Sequence, residues 1–373
     1  MHEAESSPTL TSETQSDLIE AAGRASTWFG EPFLHDGEDA ALALGPGTAR
    51  RAALDHALEE MAAGNGEPSA RWKVRYGLML GLERVLSQEP VRTASGTELR
   101  RHQVDALTGM LTELIAATQR AAEDGNGGGN GHTVESPSGN GVVPIEADLE
   151  EEPEDDFDAG FIDDDLALEE EEFHGDDPGA IRRYRFRHPT ASGKTIAAAG
   201  FVDAARTLGV LILTHRRLLV SQFNRDLTTE GYGERFAEAV MKGTKSRIPN
   251  PVTIQTYAWF ARHGSELDRE TYHLVLCDEA HTALGEKTSG AIRAFHDPLY
   301  IGMTATEQLI AKQVSDVFPA SVDDLPLADA ARRGLIAPSG TSAFRPRLRS
   351  TRCPSSVVTS RSARSLPHST IRL

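Results

Sequence analysis

Short apolar runs that alternate with amphipathic helical stretches predict an α/β fold with a mostly parallel, doubly wound sheet over residues 181–338 of this 373-residue chain. A second observation points the same way. The chain's chemistry-bearing polar clusters follow the apolar runs directly, and ligands on such sheets bind at the carboxyl ends of the strands. A length of 373 residues gives a prior of about two domains, so other material is expected before the sheet.

In chain order, residues 1–14 are expected to be a disordered leader. Residues 15–120 read as helical. Arg50 to Ala63 and Ala70 to Ser87 carry apolar residues at three- and four-residue spacing, with Gly and Pro between them. A third helix is expected from Leu99 to about Arg120. The aromatic and aliphatic residues of the first two are assigned to core, and His56 to the surface or to packing. Residues 121–180 change composition abruptly, from Gly/Asn-rich to acidic. Such a segment cannot bury enough apolar surface to offset its ordering entropy, so a disordered insertion is expected. Its DFDAGFIDDD lacks the ligand spacing of a calcium loop. A solvated linker is the favoured reading of it, and a nucleic-acid mimic the minority one.

The strands are then YRFR (184–187), VLIL (210–213), VTIQ (252–255), LVLC (274–277) and YIGM (300–303), with helices near Lys194–Thr207, Leu218–Leu227 and Ala291–Phe295. The most apolar stretch, Gly209 to Leu213, is far shorter than the roughly 20 residues of a membrane span. The N-terminus has neither a basic n-region nor an apolar h-region. With two cysteines, Cys277 and Cys353, a disulfide framework is excluded. A soluble, cytoplasmic chain without a membrane partner is expected. The formal charge of −18 is local: Glu146 to Asp177 holds 18 carboxylates and no Lys or Arg, against 56 acidic and 38 basic residues in all. The rest of the chain is balanced, so the acidity does not argue against a nucleic-acid partner.

Two clusters carry chemistry. After YRFR comes His188-Pro-Thr-Ala-Ser-Gly-Lys-Thr195, in which Thr190, Ala191, Ser192, Gly193, Lys194 and Thr195 form a candidate phosphate loop. Such a loop wraps phosphates with backbone N–H groups, sets a Lys on the outer phosphates and a hydroxyl on magnesium. Its usual first glycine is His188 here. After LVLC comes Asp278-Glu279-Ala-His281. The Asp suits magnesium and the Glu the orientation and deprotonation of water; an N-cap role for Asp278 is the bland alternative. The two clusters each follow a strand, and that joint placement favours the catalytic reading. Zinc at His281 is not expected, because no HExxH or Cys/His partner is nearby.

PTASGKT, DEAH and Thr304-Ala-Thr306 resemble motifs I, II and III of superfamily 2 helicases and translocases, closest to the helicase subunits of type I and type III restriction enzymes. LRRHQ (Leu99 to Gln103) resembles that branch's adenine-contacting element, THRRLLVSQF (Thr214 to Phe223) its motif Ia, and TIQTY (Thr253 to Tyr257) a motif Ib-like strand end. LADAARRGLIAP (Leu327 to Pro338) resembles the way out of a first RecA-like domain. The resemblance implies a RecA-like P-loop fold, ATP and Mg2+ as cofactors, and DNA, single-stranded or duplex, as partner, with RNA left open. It implies roles as well. Lys194 would contact phosphate, Thr195 and Asp278 magnesium, Glu279 water, and Gln103 adenine. His281, Thr304 and Thr306 would couple the sites, and His215, Arg216, Gln255 and Thr256 would contact nucleic acid.

In two respects the chain departs from that family. The long acidic insertion separates LRRHQ from the phosphate loop, at a closure cost that grows only with the logarithm of its length. The match also stops at Pro338, before the second RecA-like domain and its arginine finger, a domain or subunit that could be supplied in trans. Residues 339–373 contain seven Arg, nine Ser and no acidic residue. A basic nucleic-acid tail is one reading of them; an out-of-frame end is the preferred one. The expectation is the ATP-binding half of an ATP-dependent DNA helicase or translocase. A catalytically inactive nucleotide-binding or interaction protein is its rival, and a kinase-like P-loop enzyme is disfavoured by DEAH and TAT.

Overall fold

The computed structural model describes residues 12–126, 177–187, 194–304 and 311–322. The leader up to residue 11, most of the acidic insertion, the segment 327–338 and the Arg/Ser-rich tail lie outside the described residues. Helices α1 (Ser12–Phe29), α2 (Ala40–Ala43) and α3 (Ala49–Ala62) come first. The side chains of Asp39, Thr48 and Ser69 accept backbone N–H bonds at the starts of α2, α3 and the helix that begins at Ala70, satisfying amides that have no partner within a helix. The helix expected over 70–87 is α4 (Ala70–Trp72), a π turn (Lys73–Gly77) and α5 (Leu78–Leu86) in succession. Helix α6 (Arg101–Asn126) extends past the expected end near Arg120.

Strands and helices then alternate: β1 (Arg183–Arg187), α7 (Lys194–Ala204), β2 (Val210–Thr214), α8 (Arg217–Thr229), β3 (Val252–Thr256) and α9 (Tyr257–His263). They continue with β4 (Leu274–Asp278), α10 (Glu286–Ala294), β5 (Leu299–Thr304), α11 (Ala311–Val317) and β6 (Ala320–Val322). The six strands form one parallel sheet in the order β3-β2-β4-β5-β1-β6. This is the doubly wound parallel sheet expected from the sequence.

Every residue of β2, β4 and β5 is buried, because alternate side chains serve opposite faces. Val210, Ile212, Leu274, Leu276, Ile301 and Met303 face one core together with Tyr184 and Phe186. Leu211, Leu213, Val275, Cys277 and Tyr300 face the other, against Phe260, Ile292 and Phe318. The N-terminal helices belong to the first core. Their Phe29, Phe33, Trp72, Met79, Leu107 and Met110 are continuous with α7 and the sheet. Helix α5 comes so close to α7 that a Cβ on Gly81 would lie 1.7 Å from the Ala204 carbonyl oxygen.

Charged groups fasten this layer. The Glu31 carboxylate, whose side chain is 0% exposed, meets Arg84 Nε at 2.7 Å and Arg206 Nε at 2.8 Å. Arg206 also donates to the Gly30 carbonyl, and Arg84 to that of Asp203. On the second face, Asp177 ends the acidic run and pairs with the fully buried Arg183 and with Arg293.

At the amino ends of the strands, His273 is buried and its Nδ1 accepts the Gly209 N–H at 3.1 Å. Burial, reinforced by Lys73, pushes its pKa down to about 3. The folded state therefore stays unprotonated where the unfolded chain takes up a proton, near pH 6.5. Stability from this group is present above the unfolded pKa and lost as pH falls towards 3. Between pH 7 and pH 5 the loss should be about 2 kcal/mol. Urea unfolding at the two pH values would measure it, and a His273→Gln variant should show a correspondingly flatter dependence.

Candidate functional site

The parallel registers bring five strand ends to one edge. Arg187 is level with Thr304, Asp278 with Met303 and Thr214 with Thr256, while Leu213 stands beside Cys277. Strand β5 lies between β1 and β4, so Thr304 sits between the end of β1, which precedes the candidate phosphate loop in sequence, and the Asp278-Glu279 pair.

Asp278 is the last residue of β4 and is 6% exposed. Glu279 follows in the left-handed region, with φ 47° and ψ 57°. For a residue with a Cβ this costs on the order of 1–3 kcal/mol, and it persists only where the surroundings hold it. Hydrogen bonds flank it on both sides. The Tyr257 hydroxyl donates to the Asp278 carbonyl at 2.8 Å. The Thr282 N–H and hydroxyl both donate to the Glu279 carbonyl, each at 2.8 Å. His281 Nδ1 is 3.1 Å from Thr304 Oγ1 and 3.5 Å from a Glu279 carboxylate oxygen. Asp278, Glu279, His281 and Thr304 are therefore brought together at one place. Tyr257 and Thr282 are additions: Tyr257 lies within the TIQTY motif, but nothing in the local pattern showed that its hydroxyl reaches β4. Burial holds the Tyr257 phenol well above its usual pKa and pushes the Cys277 thiol up to about 12, so both stay neutral behind the two carboxylates.

Across the β5 end, Lys194 is the first residue of α7 and the half-buried Thr195 its second. Thr190, Ala191, Ser192, Gly193 and Thr306 lie outside the described residues. Among the described residues no group of three or more His, Cys, Asp or Glu could hold a metal by itself. Magnesium is typically held by one or two carboxylates together with substrate phosphates. A donor set of Asp278 with the Thr195 hydroxyl fits this pattern.

Gln103 is 1% exposed, and its Oε1 accepts the Arg100 N–H at 2.8 Å at the start of α6. Leu99 and Leu107, on either side of it, lie against Gly200 of α7. Its observed work is to cap α6. His215 and Arg216 are exposed between β2 and α8, beside the exposed Leu218. Gln255 and Thr256 are half-buried at the end of β3. Thr256 Oγ1 accepts the Trp259 N–H at 3.1 Å and so caps α9.

No curated protein matches the chain. Among solved structures, the UvsW helicase from bacteriophage T4 is similar at 16% identity and a TM-score of 0.29, over 38% of this chain and 54% of that one. The Hef helicase domain of Pyrococcus furiosus is similar at 22% identity and a TM-score of 0.31, over 38% of this chain and 34% of that one. A hypothetical ATP-dependent RNA helicase from Sulfolobus tokodaii is similar at 19% identity and a TM-score of 0.31, over 39% and 47%. This chain thus spans about half or less of each of these structures. The profile of the family described as type III restriction enzyme, res subunit, matches residues 97–309, more than half of the chain and the whole of the constellation above. The chain belongs to the family of the type III restriction enzyme res subunit.

Proposed function

We propose that the chain is the ATP-binding half of an ATP-dependent DNA helicase or translocase, with its ATP-binding domain over residues 181–338. The observation that supports this most is the constellation Asp278–Glu279–His281–Thr304, set beside the start of α7 across a single strand. Lys194 would contact the outer phosphates, and the N-terminus of α7 would add its unpaired N–H groups and dipole. Asp278 and Thr195 would hold magnesium, which supplies charge neutralisation on the phosphate oxygens. Glu279 would orient a water and take its proton. His281, hydrogen-bonded to Thr304, would hold the carboxylate from the side of β5, and Thr306 would continue that coupling. Gln103, at the face of α6 turned to α7, would read adenine. His215, Arg216, Gln255 and Thr256 line the same strand edge and would contact a DNA strand. A second RecA-like domain, or another subunit in trans, would close on this edge.

The direct test is calorimetric titration of ATP with magnesium into the parent chain and Lys194→Ala. Removing one charge-assisted phosphate contact is worth about 1.5–3 kcal/mol, so affinity should fall about 10- to 100-fold. Equal affinities would sink the phosphate-loop assignment.

A further inference from the structure

We propose that Tyr257 is a positioning residue that couples nucleic-acid binding at the end of β3 to the geometry of Glu279 across the sheet. The link presupposes the ATP and nucleic-acid sites proposed above. Strands β3 and β4 are not neighbours, because β2 lies between them. No backbone ladder therefore joins the Gln255–Thr256 end directly to the Asp278–Glu279 end. The Tyr257 side chain spans that gap. It is the first residue of α9, directly after the cap Thr256, and its hydroxyl donates to the Asp278 carbonyl at 2.8 Å.

That carbonyl belongs to the peptide plane between Asp278 and Glu279. The orientation of the plane sets ψ of Asp278 and φ of Glu279. Glu279 has φ 47°, so a flip of the plane through roughly 100° or more separates the left-handed state from the ordinary right-handed or extended ones. A residue with two discrete backbone states is the kind of element that can convert a small shift into a switch. A strand bound at Gln255 and Thr256 would move the β3–α9 corner, and the phenol would carry that movement to the plane. The Glu279 carboxylate would swing with it, relative to the phosphates and to His281. Tyr257 is buried in the second core, packed with Phe260 and Cys277, so its ring has little room to absorb the movement itself.

Linkage makes this measurable without hydrolysis, because coupling between two ligands is reciprocal. The experiment titrates a non-hydrolysable ATP analogue with magnesium into the full chain, with and without saturating single-stranded oligothymidylate, and repeats this for Tyr257→Phe. In the parent, the oligonucleotide should change analogue affinity by about fivefold or more, the lower end of usual allosteric couplings. In Tyr257→Phe that factor should fall to about one, while each ligand alone binds within about twofold of the parent, since the ring and its packing remain. Thr282→Val, which loosens Glu279 from its other side without touching β3, should keep the coupling. Thermal melting of both variants shows that each is folded. The proposal is overturned if Tyr257→Phe keeps the parent's factor, or if Thr282→Val loses it equally. It is also overturned if the parent binds both ligands without any coupling. A parent that binds no ATP analogue at all would instead bring down the proposed function, and the coupling with it.

Discussion

Glu31→Ala should lower the unfolding free energy by about 3 kcal/mol, at the lower end of what breaking a buried ion pair costs. Two effects oppose each other at this site. Burial raises the Glu31 pKa, and Arg84 and then Arg206 pull it back only in part. The charge pairing thus does not fully offset desolvation, and little net stability comes from attraction itself. The cost of the alanine lies in what it strands. Arg84 has a side chain 13% exposed and would keep only Asp203, whose carboxylate is 3.6 Å away. Arg206 is 45% exposed and can return to water, which is why the expectation stays near the low end. For a domain of this size, about 3 kcal/mol corresponds to a drop in Tm of roughly 6–12 °C. A double variant, Glu31→Leu with Arg84→Met, should recover most of the loss, because apolar replacement of a buried pair is often neutral. If the double variant is as unstable as the sum of its singles, packing rather than stranded charge is responsible. The site matters beyond stability, since it ties the helical layer to the end of α7, the helix that begins at Lys194.

What the sequence made legible follows from what periodicity measures. VLIL, LVLC and YIGM are apolar throughout because both faces of β2, β4 and β5 are covered, so these strands announce themselves. Asp278, Glu279, His281 and Thr304 were legible because each sits on or just after such a run. Adjacency across the sheet was not. Local pattern contains nothing that puts β5 between β1 and β4, or that makes the Tyr257 hydroxyl reach past β2. Short elements were missed for a related reason. Helix α9 has seven residues and β6 three, too few for a period to show. The expected helix at Ala291–Phe295 is the C-terminal part of α10, which begins at Glu286 among polar residues. The close approach of α5 to α7 depends on Gly81, and an isolated glycine in a helical pattern looks only like a weak helix former until its neighbour is known. The left-handed Glu279 likewise has no local signature. Glutamate has no preference for that region, and its conformation comes from hydrogen bonds contributed by Tyr257 and Thr282.

Glu279→Gln should keep ATP binding within about twofold and slow hydrolysis by about 10²–10⁴-fold, the usual contribution of general base catalysis. The amide has the same shape and can still hold a water by hydrogen bonding, but it cannot take the proton. His281 lies 3.5 Å from the Glu279 carboxylate and 3.1 Å from Thr304 Oγ1, so it is placed to orient Glu279 rather than to replace it. Asp278 is 6% exposed and lies where it would face the ion, which leaves it poorly suited to the same water. No second carboxylate of the DEAH segment is therefore available as a substitute base. The measurement is single-turnover hydrolysis with the chain in excess over ATP and single-stranded DNA present, which detects slow chemistry that steady-state assays miss. His281→Ala provides the comparison. Losing an orienting contact should cost less than losing the base, so its rate should lie between those of the parent and Glu279→Gln. Should Glu279→Gln hydrolyse ATP at the parent rate, the proton goes elsewhere. The strained backbone at Glu279 would then need a reason other than catalysis.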